Sequence, residues 1–173
     1  MKLGFVYAGQ GSQTVGMGKA LYEAEPAVRR VFDSISLDFD VKKLCFDGPM
    51  EQLSQTQYTQ PCMVATAIAL TEVLRERGIT PDYAAGLSLG EYSALYAAGV
   101  FDAQTALELV RFRGQAMEEA VRGMDSKMVA VLGLERSLLQ EACDEGKVLG
   151  VVEIANYNCP GQLVIGGQTE AVD

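Results

Sequence analysis

The stretch Pro81-Asp82-Tyr83-Ala84-Ala85-Gly86-Leu87-Ser88-Leu89-Gly90-Glu91-Tyr92-Ser93-Ala94-Leu95-Tyr96-Ala97-Ala98-Gly99 decides how the rest of the chain is read. It opens as a brief strand, continues as a helix from Leu89 to Ala98, and stops at Gly99. Between strand and helix, Gly86, Ser88 and Gly90 form a Gly-x-Ser-x-Gly pattern. The turn is too tight for side chains on either flank of the serine, which is where both glycines are needed. A serine hydroxyl is a weak nucleophile and needs a neighbouring base, most often histidine. This sequence contains no histidine.

Bulk properties narrow the field. A length of 173 residues suits one domain, since domains run to roughly 100–200 residues. A net charge of −9 argues against a general nucleic-acid or anionic-membrane role, because phosphate binding needs a basic face. The local basic clusters Arg29-Arg30, Lys42-Lys43 and Arg75/Arg77 read as solvated surface. Cys45, Cys62, Cys143 and Cys159 form no Cys-x-x-Cys pair and have no histidine partners, so no zinc site is expected. The start lacks a signal-like apolar region with a cleavage site, and the longest apolar run, from Cys62, is too short to span a bilayer. Reduced cysteines and a cytoplasmic location are expected.

Along the chain, Lys2 to Gly9 reads as a buried strand and is followed by a glycine-rich loop. The spacing of Gly9, Gly11 and Gly16 does not make Gly-x-Gly-x-x-Gly. Gln13 and Ala20 stand where a Walker loop needs glycine and Ser/Thr, so nucleotide binding is rejected. Pro26 divides two helices. A long helix is expected from near Pro61 to Gly78, and another from Asp102 to Val121. From Lys127 the order becomes strand, helix, strand, strand, which resembles the first part of a split βαβ unit. Thr169 then reads as the N-cap of a helix that the sequence announces and does not complete.

Four further motifs accompany the serine: Ala8-Gly-Gln-Gly-Ser-Gln13, Tyr58-Thr-Gln-Pro-Cys-Met-Val-Ala-Thr66, Arg111-Phe-Arg-Gly-Gln-Ala-Met117 and Asn156-Tyr-Asn-Cys-Pro-Gly-Gln-Leu-Val-Ile-Gly-Gly167. In this order they resemble malonyl-CoA:acyl carrier protein transacylase and the acyltransferase domains of polyketide and fatty acid synthases. The resemblance runs from Phe5 to about Gly167. It implies an α/β fold: an α/β hydrolase-like large subdomain, incomplete at its C-terminus, over residues 1–125, and part of a ferredoxin-like insert over residues 126–173. It implies malonyl-CoA as substrate, acyl carrier protein as partner, and no permanently bound cofactor.

Carried over position by position, the resemblance makes Ser88 the nucleophile and the backbone amides of Gln10 and Leu89 the oxyanion donors. It makes Arg113 the clamp on the malonyl carboxylate and puts Gln60, Asn158 and Gln162 near the active site. Each also has a plainer reading. Gln10 is a polar loop residue, Gln60 a helix-start residue, and Asn158 and Gln162 are turn residues that satisfy strand ends.

On a helix of about 3.6 residues per turn, Leu107, Val110, Gly114, Met117 and Val121 make an apolar stripe. Arg113 lies about 70° from its centre, and Arg111 roughly 90° away on the other side, nearer solvent. Two departures stand out. Leu87 occupies a position where the family usually has histidine, which should modify the pocket without abolishing the chemistry. The family's catalytic histidine lies downstream of the Asn158–Gln162 stretch, in a segment this sequence does not include. The 173 residues are therefore expected to be a truncated piece, inactive alone and completed by a missing C-terminal segment or a second chain. A serine esterase of patatin type and a non-catalytic fragment are the alternatives, and Arg113 separates the first of these, because a simple esterase needs no carboxylate clamp.

Overall fold

The computed structural model describes residues 2–173 and divides into two units, the first ending at Ala120 and the second running from Val121 to Asp173. In the first unit, β1 (Gly4–Tyr7) is followed by α1 (Lys19–Ala24), α2 (Pro26–Ser34), α3 (Val41–Asp47), α4 (Met50–Leu53) and α5 (Thr56–Glu76). Strand β2 (Tyr83–Gly86), α6 (Gly90–Ala97) and α7 (Ala103–Ala120) complete it. β1 and β2 pair in parallel, Gly4 opposite Tyr83 and Tyr7 opposite Gly86. Parallel strands cannot be joined by a tight turn, and α1 to α5 form the crossover.

α5 is the centre of this unit. It is buried on several sides, through Gln60, Cys62, Val64, Ala65, Ile68 and Val73. Helices α2, α3 and α7 lay Val28, Leu44, Leu107 and Val110 into the same core. A helix apolar nearly all round belongs inside, not on a surface.

Two expectations change here. α5 begins at Thr56, five residues before the proline, so Pro61 lies inside the helix. Pro61 has no N–H to give the carbonyl of Gln57; Arg111 Nη1 donates to that oxygen instead, at 2.8 Å. β1 is not a buried strand either. Its residues alternate between half-buried and exposed, with Val6 85% exposed, so one face of the strand is left uncovered among the described residues.

Arg111 is the third correction. It is buried, at 7% exposure, where the helical wheel put it near solvent. The wheel centred its stripe by counting Met117 and Val121, and both are exposed. The observed buried face is Ala106, Leu107, Val110, Arg111 and Gly114.

The second unit holds β3 (Ser126–Leu132), α8 (Arg136–Gly146), β4 (Val152–Cys159), β5 (Gln162–Gln168) and α9 (Thr169–Val172). The sheet order is β3-β5-β4 with both pairings antiparallel, so β3 and β4 run in the same direction on either side of β5. Its core is Leu139, Cys143, Val152, Ile165 and Ala171. Thr169 is the first helical residue of α9 and not its cap; Gln168 stands at the cap, and the Thr169 hydroxyl donates to Asp125 Oδ1 at 2.6 Å. Among the described residues no helix is long and apolar enough to cross a membrane.

Candidate active site

Ser88 sits between the end of β2 and the start of α6 with φ 53°, and among the described residues it is the only non-glycine with positive φ. Such a conformation costs a non-glycine residue of order 1–3 kcal/mol and persists where its surroundings over-determine it. The surroundings are backbone. A Cβ on Gly86 would run into the carbonyl group of Gly90. A Cβ on Gly90 would lie 2.5 Å from the Tyr7 oxygen and 2.8 Å from that of Ala8. The Leu87 amide donates to the Tyr7 carbonyl at 3.0 Å, extending the β1–β2 pairing into the turn. The tight strand-to-helix turn expected around Ser88, an elbow in the backbone, is therefore present, wedged against the loop that leaves β1.

That loop carries Gln10. Gly9 lies against Leu87, where an added Cβ would be 3.0 Å from its carbonyl oxygen and 3.3 Å from its side chain. Neither the Gln10 amide nor the Leu89 amide is bonded to a main-chain carbonyl among the described residues. The Gln10 side chain donates to Thr56 Oγ1 at 3.2 Å, which ties the loop to the start of α5. Leu89 itself is buried and heads α6, whose amino end contributes partial positive charge.

Arg113 on α7 donates from Nη2 to Ser88 Oγ at 3.0 Å and from Nη1 to Gln60 Oε1 at 2.7 Å. Gln60 is fully buried, and its Nε2 meets Met117 Sδ at 3.3 Å. Gln60 is thus inside α5 and occupied at both ends of its amide, not a helix-start residue. Ser88, Arg113 and Gln60 form one bonded chain linking the β2–α6 turn to α7 and α5. A guanidinium donates and cannot accept, so Arg113 is no base for the serine.

Asn158 and Gln162 belong to the second unit, at the end of β4 and the start of β5. They bond to each other, Asn158 Nδ2 to Gln162 Oε1 at 3.0 Å, across the turn at Pro160 and Gly161.

Sequence reasoning did not find the group around Arg111. Its Nε and Nη2 grip both oxygens of Asp38 at 2.9 and 2.7 Å, and its guanidinium lies about 5 Å from the ring centroids of both Phe39 and Tyr58 (5.0 and 4.8 Å). Arg111 holds the Asp38 carboxyl below its ordinary range, burial opposing the shift only in part. The signal was in the sequence: Pro61 inside a helix frees the carbonyl four residues earlier, and something must bond it.

Comparisons with known proteins agree with this architecture. Residues 4–173 match the family described as acyl transferase domain. The malonyl CoA-acyl carrier protein transacylase of Bacillus subtilis (strain 168) is 45% identical over 99% of this chain and 55% of its own length. That of Escherichia coli (strain K12) is 43% identical over 98% of this chain and 56% of its own length. The chain thus spans about half the length of the curated relatives it matches. Among solved structures, MCAT from Streptococcus pneumoniae superposes with a TM-score of 0.90 at 46% identity, covering 99% of this chain and 57% of that one. A type II polyketide synthase acyl-carrier protein in complex with its malonyl-transacylase gives 0.93 at 41% identity, over 99% and 57%. With the elbow, its arginine neighbour and this coverage in hand, the chain belongs to the acyl transferase domain family.

Proposed function

We propose that Ser88 is the nucleophile of a malonyl transferase. Its oxygen attacks the thioester carbonyl of malonyl-CoA, coenzyme A leaves as its thiol, and a malonyl ester remains on the serine. The phosphopantetheine thiol of acyl carrier protein then attacks that ester and regenerates the hydroxyl, in fatty acid or polyketide synthesis. The observation that carries this reading is the 3.0 Å contact between Arg113 and Ser88 Oγ. A fixed cation one hydrogen bond from the nucleophile is within reach of the free carboxylate of a short diacid esterified there. With Nη1 held by Gln60 and one Nη2 hydrogen given to Ser88, Nε–H and the second Nη2 hydrogen are the fork left for that carboxylate.

The amides of Gln10 and Leu89 serve as oxyanion donors, supported by the close seating of the β1 loop on the elbow. Asn158 and Gln162 are assigned to substrate binding on the strength of the family resemblance. The same reading makes the first unit an α/β hydrolase-like acyltransferase subdomain and the second a part of a ferredoxin-like one. Four unpaired cysteines suit a reduced, cytoplasmic setting. The scheme needs a proton acceptor, histidine in the family pattern, and residues 1–173 contain none.

Intact-mass measurement of the full chain, here these residues supplied with the remaining length of the Bacillus subtilis relative, after incubation with malonyl-CoA tests the reading. The expected result is a malonyl adduct in the native protein, none in Ser88→Ala, and discharge by phosphopantetheinylated acyl carrier protein. Free malonate with no transfer would make the protein a hydrolase; no adduct would remove Ser88 from the chemistry.

A further inference from the structure

Every polar atom of Gln57 is engaged by α7. Its amide donates to Glu118 Oε1 at 2.8 Å and its Nε2 to Glu118 Oε2 at 2.7 Å. Its carbonyl and its Oε1 both accept from Arg111 Nη1, at 2.8 and 3.1 Å. Arg111, Gly114 and Glu118 are three and four residues apart, hence on one face of α7. Gly114 lets the two backbones meet at the centre of this face, where a Cβ would lie 2.7 Å from Gln57 Cα. Gln57 is one turn before Gln60 on α5, and Arg113 directly precedes Gly114 on α7.

We infer that the Arg111–Gln57–Glu118 clamp, closed around Gly114, is a positioning device that sets the register of α7 on α5 and so holds the Arg113 guanidinium against Ser88. Arg111 and Glu118 are positioning residues for the acyl carboxylate and touch neither it nor the serine. The inference rests on the role given to Arg113 above. Two charged side chains are a costly way to stabilise a helix pair, since apolar packing of similar volume does as well or better; fixing one register is the best-attested use of such buried ionic groups. Register matters here because Arg113 carries a long, flexible side chain, and small misplacements of a binding group cost large factors in rate.

The test uses the full chain and the ratio of malonyl to acetyl ester formed on Ser88. Arg111→Met is expected to lower that ratio by about tenfold or more, Arg111→Lys to restore part of it, and Glu118→Gln to lower it less. In an Arg113→Ala background, Arg111→Met is expected to lower it no further, because residues acting through one group are not additive. Val28→Ala, a core truncation on α2, should reduce the melting temperature without moving the ratio, which separates positioning from stability. A ligand-free reading is the NMR spectrum of the guanidinium groups. Arg113 should show separate Nη signals in the native protein, and these should merge in Arg111→Met. An unchanged ratio in a folded Arg111→Met protein, a drop that persists in the Arg113→Ala background, or unaltered Arg113 signals would overturn the inference. If the native protein forms no malonyl ester, the function reading fails while the NMR result still decides the clamp.

Discussion

Arg113 donates to two acceptors, the Ser88 hydroxyl and the Gln60 amide oxygen, and neither neutralises its charge. An unneutralised guanidinium beside a nucleophile attracts an anionic acyl group and does little for a neutral one. Arg113→Ala in the full chain is therefore expected to lose malonyl ester formation and relatively gain acetyl. A charge-assisted contact worth about 2 kcal/mol corresponds to roughly 30-fold in the malonyl-to-acetyl ratio. Arg113→Lys should recover only part, since an ammonium keeps the charge and loses the fork. An unchanged ratio in folded Arg113→Ala would remove the arginine from the mechanism. Arg111→Ala is no neutral control for this comparison, because Arg111 is buried and bonded to Asp38 and Gln57.

α5 and α7 show which parts of the site were legible in the sequence. The elbow was readable because its constraints are local: three residues, a strand before them and a helix after them. Arg113 was identified by its motif, not by its wheel position. Pro61 signals a freed carbonyl at Gln57, but that Arg111 fills it depends on which face of α7 meets α5, and exposed Met117 and Val121 tilted the apparent stripe away from that face. The contact face makes its own predictions. Gly114→Ala gains about 1 kcal/mol of helix propensity, but its methyl would press on the Gln57 Cα and lie 3.0 Å from the Thr56 oxygen. Backbone cannot move aside as a side chain can, and overpacking costs of order 1–3 kcal/mol or more. A net fall in melting temperature of roughly 3–6 °C is expected; no fall would mean the helices separate freely. Asp38→Asn tests the ion pair through pH. The Asp38 carboxyl is held below its ordinary range in the folded protein, so its contribution is present above the unfolded value, about 3.9, and fades as pH falls through the lower folded one. The stability gap between native protein and Asp38→Asn should be constant near neutral pH and close below about pH 4. The gap should stay under about 1 kcal/mol, because the Asp38 side chain is 58% exposed. A gap independent of pH would show that Arg111 does not stabilise the ionised form.

Across residues 1–173, the proposed chemistry needs a destination for the serine proton. Among residues 1–173 there is no histidine, and the hydroxyl's partner is a cation that cannot take a proton. Asp82, five residues after Arg77 and just before β2, is no substitute. It accepts from the Leu3 amide at 2.8 Å and from Lys2 Nζ at 3.1 Å, and these bonds hold its carboxyl below the ordinary range, making it a weaker base still. Glu91 is an exposed residue in the first turn of α6. Residues 1–173 on their own are therefore expected to transfer malonyl groups several orders of magnitude more slowly than the Bacillus subtilis relative, about what loss of the base costs a serine nucleophile. The Gln10 and Leu89 amides proposed as oxyanion donors, and Arg113, would still be present, so slow esterification above the rate of free malonyl-CoA hydrolysis should remain, abolished in Ser88→Ala. The decisive comparison adds, in trans, the remaining length of the Bacillus subtilis relative, of which this chain covers 55%. Recovery of turnover that depends on a histidine in the added piece would locate the base there. Robust turnover by residues 1–173 alone would instead require a proton acceptor within the chain, and Glu91→Gln would be the first variant to ask whether it is the one.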